Sequence, residues 1–319
     1  MPLPPITYAE QAEDVLARAC DLLDAGTPFA LVVSVRIEGG SAREVGSLAV
    51  VSRDGDMVGY MSNGCIDRDL ILQAQEALAE GAVRSPTYGA GSPFMDLRLP
   101  CGGTLGLVID PAPDAAALRA AHGDLVARRP ARLSVGPTTG VAGPEGAAAD
   151  AIVIRYAPKP RLVLAGRGAV FRATAALTAH AGMGLCLASP EEDDLVALAD
   201  LPTVAVQRLT APDQGLTLPL DAHTSLLTLF HDHEWEPAIL ATAARSEARF
   251  IGAMGSRRTH EMRLQELTLL GLTAAERARV TGPIGLVPSL RNASLIAVSA
   301  LAQVAAVLPP AQVVEVTPN

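Results

Sequence analysis

The chain has 319 residues, 49% of them hydrophobic and 18% charged, with a formal net charge of −9. That length and apolar content predict a folded protein of two ordinary domains and exclude a disordered one. The acidic balance argues against nucleic acid as a partner, and the single lysine, Lys159, excludes a Gly-Lys-Ser phosphate loop.

Thr7-Tyr8-Ala9-Glu10 has the form of a capping box and predicts a helix to about Asp24, closed by Gly26. Residues 29–37 form a β-rich run, and 47–53 with 57–62 predict a hairpin around Asp54-Gly55. A helix is predicted over 67–80, stopped by Gly81. Residues 94–99 and 104–110 read as strands on either side of Cys101, the Gly- and Pro-rich stretch 136–150 as a loop, and 151–156 as a strand. Ala157-Pro158-Lys159-Pro160 is a short stiff linker. Beyond it, strand and helix alternate: strands at 161–165, 184–188, 203–207, 225–230 and 249–253, helices at 168–181, 234–245 and 256–270. The expected fold class is α/β, with a mixed α+β domain over 1–156 followed by a domain over 157–319 built on a parallel sheet with helices on both faces. Ligands of such sheets sit at the carboxyl ends of the strands.

No apolar stretch reaches the roughly 18 residues of a membrane span, the N-terminus has no basic region followed by an apolar core, and the four cysteines lack paired spacing. A reducing cytoplasm, with no membrane partner, is the expected setting. Cys20 and Cys186 fall in apolar runs and read as core. Cys65 and Cys101 instead sit in glycine-rich turns, Gly64-Cys65-Ile66-Asp67 and Cys101-Gly102-Gly103, at the ends of strand-like runs. Glycine beside a thiol lets the backbone approach a ligand closely, so the pair reads as a soft-ligand or sulfur-handling site.

Other candidate binding residues cluster at predicted strand ends. Gly166-Arg167-Gly168 follows a strand and opens a helix, as a nucleotide-binding turn does. The third glycine position holds Phe171 and the second strand ends without an acidic residue, which argues against NAD(P). Gly255-Ser256-Arg257-Arg258 combines a glycine turn, a capping serine and two arginines at a helix start, a setting for a phosphate. His231-Asp232 ends a strand on the ligand-binding edge, placing either residue as a ligand or proton-transfer group, and Arg43 follows the loop Gly39-Gly40-Ser41-Ala42, where it could meet an anion.

Taken in order, these motifs resemble the XdhC/CoxI family of xanthine dehydrogenase accessory proteins: Gly-Ser-x-Arg at 40–43, Gly-Cys-x-acid at 64–67, Cys-Gly-Gly at 101–103, His231-Asp232, the segment 251–258 and Pro283-Ile284-Gly285-Leu286. The resemblance covers nearly the whole chain. It implies a Rossmann-like C-terminal domain and a chaperone that binds molybdenum cofactor (molybdopterin), assists its sulfuration, and delivers it to a molybdenum hydroxylase. A cysteine desulfurase is the implied sulfur donor; the low charge, by itself, points to self-association as a homodimer. On this reading Cys65 and Cys101 approach the metal, a role that suits soft thiol ligands. The residues alone leave two other readings open, an NAD(P)-dependent oxidoreductase and a sulfurtransferase using Cys65 or Cys101.

Overall fold

The structure, a computed structural model, describes residues 5–89, 102–145 and 147–315. The strand expected at 94–99 and Cys101 lie outside the described residues. The chain divides into two compact units, Met1–Lys159 with Pro310–Asn319, and Pro160–Pro309.

The first unit runs β1 (Ile6–Thr7), α1 (Ala12–Asp24), β2 (Phe29–Glu38), β3 (Leu48–Ser52), β4 (Met57–Gly59), α2 (Asp67–Glu80), β5 (Thr87–Gly89), β6 (Thr104–Asp110), α3 (Ala115–Val126), β7 (Ala131–Gly136), β8 (Gly140–Ala142) and β9 (Ile152–Tyr156). One sheet has the order β1-β4-β3-β2-β6-β5 and is antiparallel except for β1 beside β4. Leu31 and Val33 of β2 face one apolar core with α1 and α3, while Ala30 and Val32 face a second with α2. Both faces are covered, so the run is apolar throughout. A second sheet joins β7, β8 and β9 to the C-terminal strand Gln312–Glu315, which pairs antiparallel with β9.

Two expectations change here. The helix α1 starts at Ala12 with Gln11 at its N-cap, because Ile6 and Thr7 pair with Met57 and Val58 and draw the would-be cap into the sheet. The stretch 136–150 is only partly loop, since β7 and β8 form a hairpin there.

The second unit runs β10 (Arg161–Gly166), α4 (Gly168–His180), β11 (Gly184–Ser189), α5 (Glu192–Ala197), β12 (Thr203–Arg208), β13 (Thr224–Leu229), α6 (Glu236–Ala244), β14 (Phe250–Ala253), α7 (Arg257–Leu269), α8 (Ala274–Ala278), β15 (Val280–Thr281) and α9 (Ala293–Ala305). Its sheet is wholly parallel, in the order β12-β11-β10-β13-β14-β15. This is the doubly wound order of dinucleotide-binding folds, with the switch point between β10 and β13. Val163 and Ala165 face one core with α6 and α7; Leu162 and Leu164 face the other with α4 and α9. The crossover from β12 to β13 has no helix, and Leu209, Leu216 and Leu218 fill that part of the core instead. Among the described residues no helix is long and apolar enough to cross a membrane.

Candidate functional site

In the first unit, the chain leaves β4 and turns through Met61–Ile66 into α2. The turn is built around Asp67. Its buried carboxylate accepts the amides of Met61 at 2.9 Å, Ser62 at 3.0 Å and Gly64 at 3.0 Å, and the Ser62 hydroxyl at 2.9 Å. The Ser62 hydroxyl oxygen in turn accepts the Ile66 amide. Gly64 has φ +93°, a left-handed conformation that glycine adopts at little cost. With the backbone held from inside, Cys65 is left exposed, whereas Cys20 and Cys186 are buried. Asp67, expected as a binding residue, spends its oxygens on the turn and so fixes the position of Cys65.

The Gly39-Gly40 loop and the Gly102-Gly103 turn meet. A Cβ on Gly103 would fall 2.3 Å from the Gly40 carbonyl oxygen, and one on Gly89 would fall 2.0 Å from that of Gly103. Only glycine permits three backbones to approach this closely. The loop is tied at its far end by the Ser34 and Ser47 hydroxyls, which both donate to the Glu44 carbonyl, at 2.7 and 2.8 Å. Arg43 donates to the Glu10 carbonyl at 3.0 Å and lies over the Tyr60 ring, 4.5 Å from its centre. Tyr60 precedes Met61, so Arg43 is brought against the chain entering the Cys65 turn. Arg43 Nε is buried without a hydrogen-bond partner among the described residues.

In the second unit, the expected residues gather at the carboxyl edge of the sheet in two places. At the switch point, Arg167 donates to Glu191 at 2.9 Å and to Asp232 at 2.5 Å. Its guanidinium is held charged, first by the Glu191 hydrogen bond and then by the charge of Asp232. The Gly168 amide, expected to face a phosphate, donates to Asp194 at 2.6 Å. Gly166 packs so tightly on β13 that a Cβ there would lie 2.8 Å from Leu229. His231 is exposed, and the second oxygen of Asp232 is buried without a hydrogen-bond partner among the described residues.

The other place is the end of β14. There Met254, Gly255, Ser256 and Arg257 form one wall of a cavity of about 650 Å³, and Ile284, Val287 and Ile296 an apolar wall. Ser256 caps α7 by accepting the Thr259 amide at 3.1 Å, as its sequence position predicts. Arg257 and Arg258 are exposed. Beneath the turn lies a buried ion pair that the motifs did not reveal. Arg263 donates through Nε and Nη2 to Glu236, at 3.0 and 2.8 Å, and through Nη2 to the Met254 carbonyl at 2.7 Å. Glu236 also accepts the Thr228 hydroxyl at 2.8 Å. His260 Nδ1 sits 3.3 Å from Arg263 Nη1, and a Cβ on Gly282 would fall 2.4 Å from that same Nδ1. Burial and then the Arg263 charge push the His260 pKa below its ordinary value of 6.5. Among the described residues no three His, Cys, Asp or Glu side chains group to hold a metal ion.

The strand order and the glycine turn define the second unit as a Rossmann domain, and residues 162–304 match the XdhC Rossmann domain model. Residues 22–89, which hold Arg43 and the Cys65 turn, match the model described as the XdhC and CoxI family. The chain is 32% identical over 299 residues to the Escherichia coli molybdenum cofactor insertion chaperone PaoD, covering 92% of this chain and 87% of that protein. It is 23% identical over 292 residues to the uncharacterized E. coli protein YqeB, spanning 91% of this chain but 46% of that longer protein. A crystal structure described as a xanthine dehydrogenase from Bacillus halodurans shares the fold, with a TM-score of 0.76 at 20% identity over 92% of this chain and 95% of that one. The chain belongs to the XdhC and CoxI family.

Proposed function

We propose that this protein is a maturation chaperone whose cargo is molybdenum cofactor. It would bind the cofactor, assist its sulfuration and hand it to a molybdenum hydroxylase. The observation that carries the reading is the Cys65 turn: an exposed thiol on a backbone locked by four hydrogen bonds to Asp67. A rigid, accessible thiol suits contact with soft molybdenum or with sulfur in transit. The 32% identity to an insertion chaperone supports the same reading.

The donor set suits the cargo. Beyond β14, the Ser256-capped helix start and Arg257 would hold the phosphate, while Ile284, Val287 and Ile296 offer an apolar surface to a flat pterin ring. Gly255 and Arg258 belong to that turn, Arg258 on its exposed side. In the first unit, Gly64 shapes the backbone at Cys65 and Gly102 and Gly103 the turn packed on Gly39 and Gly40, with Arg43 near the entry to the Cys65 turn. Cys101 joins Cys65 as the second proposed metal-facing thiol. Gly166, Gly168 and Asp232 would shape the switch point through Leu229, Asp194 and Arg167, with exposed His231 or Asp232 as the ligand or proton-transfer group there.

Sulfuration would draw on a cysteine desulfurase. Its persulfide passes the outer sulfur to the Cys65 thiolate, the sulfur–sulfur bond of the donor breaks, and the desulfurase leaves as thiolate. A homodimer is part of the proposal and is read by light scattering.

Mass spectrometry of the ligand from protein purified anaerobically out of a molybdenum-replete host tests the reading. A pterin carrying molybdenum supports it. A nicotinamide nucleotide in its place would overturn it in favour of an oxidoreductase.

A further inference from the structure

A sheet of this order binds a dinucleotide at its switch point with two elements. One is an amide at the start of the first crossover helix, for the pyrophosphate; the other is a carboxylate beyond the second strand, for the ribose. The chain has the amide, and although β11 itself ends without an acidic residue, Glu191 lies two residues beyond it; both groups are already engaged by the chain's own side chains. The Gly168 amide at the start of α4 donates to Asp194 Oδ2 at 2.6 Å. Glu191, two residues beyond β11, accepts from Arg167 at 2.9 Å.

Asp194 is well placed to stand in for a phosphate oxygen. It is 4% exposed, and its other oxygen accepts from Arg172 Nε. A carboxylate at a helix N-terminus gains from the same partial charge that a phosphate would use. Arg167 also reaches Asp232 across the switch point. Asp194, Glu191 and Asp232 outnumber Arg167 and Arg172 by one charge, so the seat is anionic before any ligand arrives. The third glycine position of the motif holds Phe171, fully buried in the core beneath α4.

We infer that Asp194 is an internal anion that occupies the phosphate seat of the Rossmann unit, and that it sets specificity by barring nicotinamide dinucleotides from the switch point. Arg167 supports the exclusion by neutralising the ribose-binding carboxylate Glu191. The cavity beyond β14 has no such plug: no side chain among the described residues accepts the Gly255 or Ser256 amide, which leaves that turn open to a ligand.

The test uses the full chain with NADH and inorganic pyrophosphate as probes, titrated by fluorescence and calorimetry at low salt. The parent should show no saturable binding of either at the switch point. Asp194→Ser, which empties the seat and frees Arg172, should bind both at least about tenfold more tightly, the worth of one charge-assisted hydrogen bond. Asp194→Asn removes the charge while leaving an acceptor for Gly168, and so protects the fold; it should gain pyrophosphate affinity in the same direction. The inference is overturned if the parent binds NADH as tightly as the variants. It is equally overturned if either variant, folded by circular dichroism, gains no affinity over the parent.

Discussion

Arg263 Nη2 and Glu236 Oε2 stand 2.8 Å apart, with both side chains at most 2% exposed. The pair is more than a weld between α6 and α7. Through the Met254 carbonyl it holds the turn that carries Gly255 and Ser256, and through Thr228 it reaches the neighbouring strand β13. His260, on the same face of α7, supports the Gly282 side of the cavity. The glycine-turn wall of the cavity beyond β14 therefore rests on α7, while the apolar wall is tied to α9 by the Val287 amide on the Ser299 hydroxyl and the Gly285 amide on Gln303.

Removing one member of that pair strands the other charge in the core. Arg263→Met and Glu236→Leu should each cost roughly 3–5 kcal/mol of stability, and the double variant much less than the sum, because no buried charge remains. Urea unfolding of the three variants measures this. Equal and additive losses would show that the pair is not coupled.

Asp67 offers the corresponding test in the first unit. Asp67→Ala leaves the Met61, Ser62 and Gly64 amides without their acceptor. The expected loss is roughly 2–4 kcal/mol, from unsatisfied buried donors. Cys65→Ala removes only an exposed thiol and should stay within about 0.5 kcal/mol of the parent. Thermal and urea unfolding of the two variants side by side separate the residue that positions the turn from the one it presents.

His260 sets a pH dependence. Its pKa in the folded protein lies below 6.5, so the unfolded chain takes up this proton more readily. The neutral ring therefore contributes stability above about pH 6.5 that is lost as pH falls toward the folded value. The midpoint of thermal unfolding should fall more steeply from pH 7 to 5.5 in the parent than in His260→Gln. Parallel pH profiles would count against the assignment.

Much of this architecture is legible in the residues, and the gaps have physical causes. Alternating strands and helices announce the parallel sheet of the second unit, because each buried strand must be followed by a covering helix. The Cys65 turn is legible because Gly64 and an acidic residue at the start of α2 mark it locally. The C-terminal strand Gln312–Glu315 is hidden because its partner β9 lies more than 150 positions earlier, and no local pattern encodes that pairing. The helix α3 escapes because its alanine-rich sequence has little apolar contrast; its signal is Asp114, which accepts the Ala116 and Ala117 amides as a cap. At the switch point, the glycine turn is visible but its occupant is not. Asp194 sits on α5, a helix of six residues, too short to show a period. The Glu236–Arg263 pair is likewise 27 positions apart and reads as two ordinary surface charges until folding buries both.

The central proposal, that this chain binds molybdenum cofactor, is tested most directly by anaerobic titration of the purified protein with the cofactor. Parent, Cys65→Ala and Arg257→Ala are compared at low salt, each first shown to be folded. The account predicts saturable binding by the parent and reduced retention by Cys65→Ala. It predicts binding weaker by about 10- to 150-fold for Arg257→Ala, the loss of one charge-assisted hydrogen bond. A parent that does not bind the cofactor, or two folded variants that bind it as the parent does, would contradict it.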